Sequence, residues 1–139
     1  MRAVLLILLV LGASTRAYGM TDEQKLTWYL PTAEAQWPGS PCNGQEQFVL
    51  EAQLPEGKDG WFAYGTCDVY LAPGMSDNQF CIILTHELGH ASGYIGDTPG
   101  DHSSDLNSIM YGGRLRGDYA PCVRRTWQRV KHMHFRSAR

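Results

Sequence analysis

Two histidines and a glutamate stand close together in the stretch His86-Glu87-Leu88-Gly89-His90. If this stretch is helical, its two imidazoles project from one face, one turn apart, where they can bind one metal ion. Glu87 then lies beside the metal, where a carboxylate can accept a proton from water and pass one to a leaving amine. The spacing therefore predicts zinc-dependent hydrolysis with Glu87 as general base.

A third metal ligand is needed, because a catalytic zinc usually has three protein ligands and one water. No glutamate follows Glu87, which excludes a downstream glutamate of the thermolysin type. His132 and His134, near the C-terminus, have i, i+2 spacing and share no helix face, so a separate metal site formed by these two residues is disfavoured. The candidates are Asp97, Asp101, His102, Asp105, His132 and His134.

The residues from Phe80 to Gly112 resemble the metzincin zinc peptidases. The metzincin motif is H-E-x-x-H-x-x-G-x-x-H, followed by a turn that contains methionine. This chain reads H-E-L-G-H-A-S-G from His86 to Gly93, in register with the first eight positions. The resemblance implies a small zincin domain, a Zn²⁺ cofactor and a peptide or protein substrate.

The segment from Asp105 to Gly112 resembles the methionine turn of metzincins, hereafter the Met-turn. It contains Ser-Ile-Met-Tyr, a form typical of the matrixins in particular. The resemblance implies that Met110 packs beneath the metal without binding it.

The third ligand departs from the family spacing. Position 96, where the metzincin motif has its third histidine, is Gly96. Counted backward from the Met-turn, His102 occupies the position of the matrixin ligand, so we expect an insertion between Ile95 and Asp101. His102 is the predicted third ligand, and Asp97 is the alternative because snapalysin-like enzymes use an aspartate.

Local signals predict that the motif lies on a helix from about residue 77 to 92. Ser76 and Gln79 have the spacing of a capping box, and Gly93 can end the helix in a left-handed conformation. A chance motif on a surface helix is the alternative. The apolar run from Phe80 to Ala91 favours a site instead, since burying unpartnered polar side chains costs about 1–3 kcal/mol each.

The remaining pattern predicts an α+β fold, with a small mixed sheet packed on the motif helix and a C-terminal helix. Helical spacing occurs over residues 21–37 and 120–135, and extended segments are expected over 46–54 and 61–71, the latter broken near Gly65. By the same resemblance, we expect the strand Cys67–Leu71 to form the sheet edge that an extended peptide pairs with.

The N-terminus predicts export. An apolar run of 11 residues, Ala3 to Ala13, follows Arg2 and is too short to span a bilayer comfortably. We expect a signal peptide over residues 1–19 and a peptidase domain over 20–139, with an uncleaved membrane anchor as the alternative. The protein is then secreted or periplasmic, without stable membrane association after cleavage, and a monomer is expected.

Composition agrees with one globular domain in an oxidising compartment. The 139 residues are 43% hydrophobic and 19% charged, with a net charge of −2, which gives no basic footprint for nucleic acid. Four cysteines suggest two disulfides. Sequence allows three pairings, of which we prefer Cys67–Cys81 with Cys42–Cys122.

These features together predict a secreted zinc endopeptidase. The alternative is a zinc-stabilised secreted binding module that has lost catalysis. A purely structural metal site has no need of Glu87, which favours the enzyme.

Overall fold

The computed structural model describes residues 19–39, 42, 44–50, 52–113 and 117–137, with only the backbone of 129–137. The predicted signal peptide lies outside the described residues except for residue 19. The described chain has three helices and three strands, which confirms the α+β class. Its elements are α1 (Asp22–Glu34), β1 (Gln47–Val49), β2 (Gly60–Ala63), β3 (Asp68–Leu71), α2 (Asp77–Ala91) and α3 (Ala120–Ser137).

The sheet is mixed, with the strand order β1-β3-β2. β1 runs parallel to β3, whereas β2 runs antiparallel to it. The expectation that Cys67–Leu71 forms the sheet edge is wrong, because β3 is hydrogen-bonded on both sides. The hairpin turn after β2 folds β3 back between its neighbours, so β1 and β2 are the edge strands.

Helix α2 carries the histidine motif through the centre of the molecule, as the sequence pattern predicts. Ser76 caps it by accepting a hydrogen bond from the Gln79 amide at 3.3 Å. The Gln79 side chain does not complete the capping box; it donates instead to Asp59 at 2.8 Å, which ties the helix start to the segment before β2. Gly93 ends the helix with φ of +78°, a conformation that favours glycine.

The core lies between α2, the sheet and the other two helices. Helix α1 packs on α2, and α3 packs on both α1 and α2. The largest fully buried apolar side chains come from α1, α2, β3 and the Met-turn: Tyr29, Phe80, Leu71, Leu84, Met110 and Val69. A well-packed core of this kind holds α2 in one place, which fixes the positions of its polar side chains.

The disulfides join Cys42 to Cys67 and Cys81 to Cys122, so the preferred pairing from sequence is wrong. The turn between β2 and β3 places Cys67 beside the segment that follows α1. Cys81 and Cys122 are both fully buried, where α2 meets the start of α3. Two such bonds indicate an oxidising compartment. Among the described residues, no helix is long and apolar enough to cross a membrane.

Candidate metal centre

The two histidines of α2 lie one turn apart and nearly out of solvent. Their ring centroids are 5.0 Å apart, and the exposed fractions of His86 and His90 are 7% and 6%. Helical geometry accounts for the pairing, since residues four apart lie on one face.

His102 joins them from the loop after α2. Its ring centroid lies 5.2 Å from that of His86 and 4.9 Å from that of His90. One potential ligand atom from each of the three side chains lies within 4.8 Å of the others. These three residues, hereafter the histidine cluster, are thus close enough to hold one metal ion.

A short hairpin explains how His102, 12 positions after His90 in the sequence, reaches the cluster. The amide and hydroxyl of Thr98 both donate to the His102 carbonyl, at 3.1 and 3.0 Å, which closes the chain on itself. Gly100 and Asp101 turn the chain with φ of +79° and +56°. A Cβ on Gly96 would overlap the His102 backbone, so only glycine allows the two to approach so closely. The five residues 97–101 are hereafter called the inserted loop. This loop brings the chain back on itself, so that His102 lies against Gly96.

Asp97 lies outside the cluster. Its carboxylate accepts hydrogen bonds from the Ser104 amide at 2.7 Å and from the Ser104 hydroxyl at 2.5 Å. These bonds lower the pKa of Asp97. The side chain therefore fastens the start of the inserted loop to the segment that follows His102, and the structure does not bring it to the two helical histidines.

Each histidine of the cluster makes its hydrogen bond to the protein through Nδ1. The partner of His86 is the Ile109 carbonyl at 2.7 Å, and the partner of His102 is the Pro99 carbonyl at 3.3 Å. A carbonyl only accepts, so both Nδ1 atoms carry the proton and Nε2 keeps its lone pair. His90 meets the Tyr64 hydroxyl at 3.3 Å.

The surroundings keep the two helical histidines neutral. Burial, chiefly, lowers the pKa of His86, and burial together with the neighbouring His86 and His102 lowers the pKa of His90 to about 4. At neutral pH their lone pairs are therefore available without loss of a proton.

Glu87 is buried beside the histidines, with 6% of its surface exposed. Burial raises its pKa to about 8, while the positive charge of Lys58 and a hydrogen bond from the Phe62 backbone act in the opposite direction. Gly60 makes room for this carboxyl group, since a Cβ there would come within 2.6 Å of Glu87 Oε1. The backbone of β2 at Gly60 therefore packs directly against the Glu87 side chain.

Met110 is fully buried beneath α2. The Ser108 hydroxyl accepts a hydrogen bond from its amide at 3.1 Å, and the Ser108 carbonyl accepts one from the Tyr111 amide at 3.2 Å. The Met110 carbonyl in turn accepts from the Ser103 amide at 2.7 Å. The Met-turn thus supports the helix from below and holds the residue that follows His102.

A cleft of about 1310 Å³ opens above the cluster, with β2 along one wall. The carbonyls of Asp59 and Ala63 point toward β3, where they accept from the amides of Ala72 and Cys67. Backbone groups alternate in direction along an antiparallel strand, so Gly60 and Phe62 face the cleft. The cleft therefore combines three histidines, a carboxyl group and a strand edge.

Sequence reasoning missed four residues of this site: Lys58, Gly60, Tyr64 and Asp101, the last considered only as a ligand. Gly60 begins a strand, where glycine is unusual and marks a close approach of another group. That was the one local signal. Tyr64 and Lys58 are brought to the cleft by the β2–β3 hairpin, and their neighbours there are distant in sequence.

Comparison with known proteins adds no identity to this geometry. No protein-family model, no curated protein and no solved structure matches the chain.

Proposed function

We propose that the protein is a secreted zinc-dependent endopeptidase of the metzincin type. The observation that supports this most directly is the histidine cluster, which lies beside a buried carboxyl group at the base of an open cleft. Neither element alone would favour an enzyme. A metal site can be structural, but a structural site gains nothing from a buried glutamate, which destabilises the fold when it is ionised.

The donor set fits zinc. Each of the three imidazoles uses Nδ1 for a hydrogen bond and offers Nε2 as a ligand. Three such imidazoles are a common set of protein ligands for a catalytic zinc site that keeps one open position. His86, His90 and His102 would hold the ion. Zinc bound there would polarise a substrate carbonyl and lower the pKa of a coordinated water.

Glu87 supplies the proton transfers. Its carboxylate accepts a proton from the attacking water and passes one to the leaving amine, so that the amine departs neutral. Lys58 favours the ionised carboxylate through its charge, and the Phe62 amide fixes the direction of the group. Burial raises the basicity of the carboxylate, which suits a group that must take up a proton near neutral pH.

The edge of β2 is the proposed docking site for the peptide. The Phe62 amide is occupied by Glu87, which leaves the Phe62 carbonyl and both backbone groups of Gly60 for an extended chain. Slower amide exchange of Gly60 in the presence of a peptide inhibitor is expected. Unchanged exchange along residues 60–63 would argue against docking at this edge.

Secretion rests on the predicted signal peptide and agrees with the two disulfides. Sequencing the N-terminus of the exported protein tests it. A mature chain that begins near residue 18 or 20 is expected, and retention of Arg2 in a membrane fraction would instead support the anchor.

Metal analysis and a peptidase assay on matched variants test the function. The wild type is expected to bind one zinc and to hydrolyse casein or a peptide library until a chelator is added. Glu87→Gln keeps the metal and loses activity, whereas Glu56→Gln, at an exposed glutamate, keeps both. One bound zinc without any hydrolysis would support the binding module, and no bound zinc would reject both functions.

A further inference from the structure

One tyrosine hydroxyl links a cluster histidine to the inserted loop. Tyr64 lies directly after β2, and its hydroxyl is 3.3 Å from His90 Nδ1 and 3.3 Å from Asp101 Oδ2. The tyrosine ring also packs edge-on against His90 and Phe62, with centroid distances of 6.2 and 5.0 Å. Three separate elements, the β2–β3 turn, α2 and the inserted loop, thus meet at one oxygen atom.

The chemistry of these groups sets the direction of the hydrogen bonds. An ionised carboxylate only accepts, so the Tyr64 hydroxyl donates its proton to Asp101. The hydroxyl oxygen is then an acceptor for His90, whose Nδ1 carries the proton. This arrangement leaves His90 Nε2 with its lone pair, as the two backbone carbonyls do for His86 and His102.

His90 is therefore the member of the cluster whose orientation depends on side chains. The Ile109 and Pro99 carbonyls that bond the other two histidines belong to the backbone and survive any substitution of their own side chains. The partner of His90 depends on Tyr64, and the direction of the Tyr64 proton depends on Asp101.

The backbone of the inserted loop is shaped to present that carboxylate. Asp101 has φ of +56°, a left-handed conformation that is uncommon outside glycine but tolerated by aspartate and asparagine. It immediately precedes His102, so one turn delivers a member of the cluster and the group that sets the Tyr64 proton.

We propose that Tyr64 and Asp101 are a positioning pair that orients His90 for metal binding and couples the inserted loop to helix α2. This inference rests on the proposed metal site. It adds a second role for the inserted loop, which orients His90 as well as placing His102 in the cluster.

A matched tyrosine–aspartate pair elsewhere in the chain provides the control. The Tyr70 hydroxyl donates to Asp68 at 3.2 Å on β3, and no histidine among the described side chains bonds to it. Tyr70→Phe and Tyr64→Phe therefore remove the same type of hydrogen bond, and only one of them contacts the cluster. Because Tyr64 is 60% exposed, its loss of a hydroxyl is not expected to unfold the protein, which circular dichroism verifies.

The test measures Zn²⁺ affinity and the visible spectrum of the Co²⁺-substituted full chain. Tyr64→Phe is expected to weaken zinc binding about 10–100-fold, the range typical of groups that orient metal ligands, and to change the Co²⁺ bands. Tyr70→Phe leaves both unchanged. Asp101→Gly keeps the left-handed backbone but removes the carboxylate and should match Tyr64→Phe, while Asp101→Asn, which retains an acceptor, recovers part of the affinity.

The double variant Tyr64→Phe/Asp101→Gly completes the cycle. Because the two residues act through one hydroxyl, its loss of affinity should be about that of either single variant and not their product. Wild-type zinc binding with no difference between Tyr64→Phe and Tyr70→Phe overturns this inference and leaves the proposed function standing. A wild type that binds no zinc overturns both.

Discussion

Gly89 lies directly over the Met110 side chain, with no space for a Cβ between them. A methyl group at position 89 would overlap the Met110 sulfur and come within 2.7 Å of Cζ2 of Trp37. The Trp37 indole is itself fixed, because its Nε1 donates to the Thr85 carbonyl at 2.8 Å. The helix that bears the histidines therefore rests on the Met-turn with its backbone in contact.

Gly89→Ala tests this contact. Helix propensity alone would make alanine more favourable by about 1 kcal/mol. Met110 is fully buried and Trp37 is held by its hydrogen bond, so an overpacking cost of about 1–3 kcal/mol should exceed the propensity gain and lower the free energy of unfolding, measured in urea. Gly65→Ala, where a Cβ meets nothing within 4 Å, is the control. Equal stability of the two variants would disprove the close contact.

Gly60→Ala is expected to impair catalysis while sparing the metal. The new methyl group would press on the Glu87 carboxyl group and on Ile83, both 2.6 Å from its ideal position. A displacement of this size in a catalytic group can cost about a hundredfold in kcat/KM. Zinc affinity, which does not depend on Glu87, should stay within a factor of a few. A parallel fall in zinc affinity would mean that the strand, and not the carboxylate, had moved.

His102→Ala and Asp97→Ala should differ in zinc affinity. Loss of His102 removes one of three donors and is expected to weaken binding by more than a hundredfold. Loss of Asp97 frees the end of the inserted loop from Ser104 and should cost about 10–100-fold, as for other groups that act indirectly on a metal. Isothermal titration measures both. The reverse order would make Asp97 the ligand.

Glu87→Gln should stabilise the metal-free protein, increasingly so at higher pH. Burial raises the pKa of Glu87 from 4.5 to about 8, so the folded state holds its proton more tightly than the unfolded state does. Folded-state stability therefore falls as pH rises between these values, by about 1.4 kcal/mol per pH unit. Glutamine does not titrate. The stability difference, measured with chelator present, should grow from pH 5 to pH 8, and a constant difference would contradict the burial.

The disulfide pairing is open to direct measurement. Digestion without reduction should yield peptides that join Cys42 to Cys67 and Cys81 to Cys122. Replacing both Cys81 and Cys122 with alanine releases a loop with a sequence separation of 41 and should cost about 4 kcal/mol in the chain-entropy account. A Cys67–Cys81 peptide would contradict the described fold.

Local sequence carried the prediction of α2. Ser76 at its start, Gly93 at its end and the apolar spacing between them all act within a few residues, and the observed helix Asp77–Ala91 agrees with them. Alternating extended segments and helical spacing likewise predicted the α+β class correctly. Spacing along one helix also sufficed to place His86 and His90 on a common face.

Features that depend on contacts between residues distant in the sequence could not be predicted from local sequence patterns. The central position of β3 follows from how a hairpin docks beside β1, which no pattern within β3 encodes. The cysteine partners depend on which helix face and which turn each residue occupies. The hydrogen bond between Tyr64 and His90 joins residues 26 positions apart, and no pattern in the sequence around either residue predicts it.

Because the inserted loop closes on itself, the histidine cluster requires particular contacts at the ends of the loop and not a particular loop length. Because Thr98 pairs with His102 and Gly96 lies against the same residue, chain length between the helix and the last histidine is free to vary as long as the hairpin closes. A search pattern with a fixed residue count between the second and third histidines does not describe this protein. A pattern that instead requires a glycine at the start of the loop and a histidine at its end, in contact with each other, describes it.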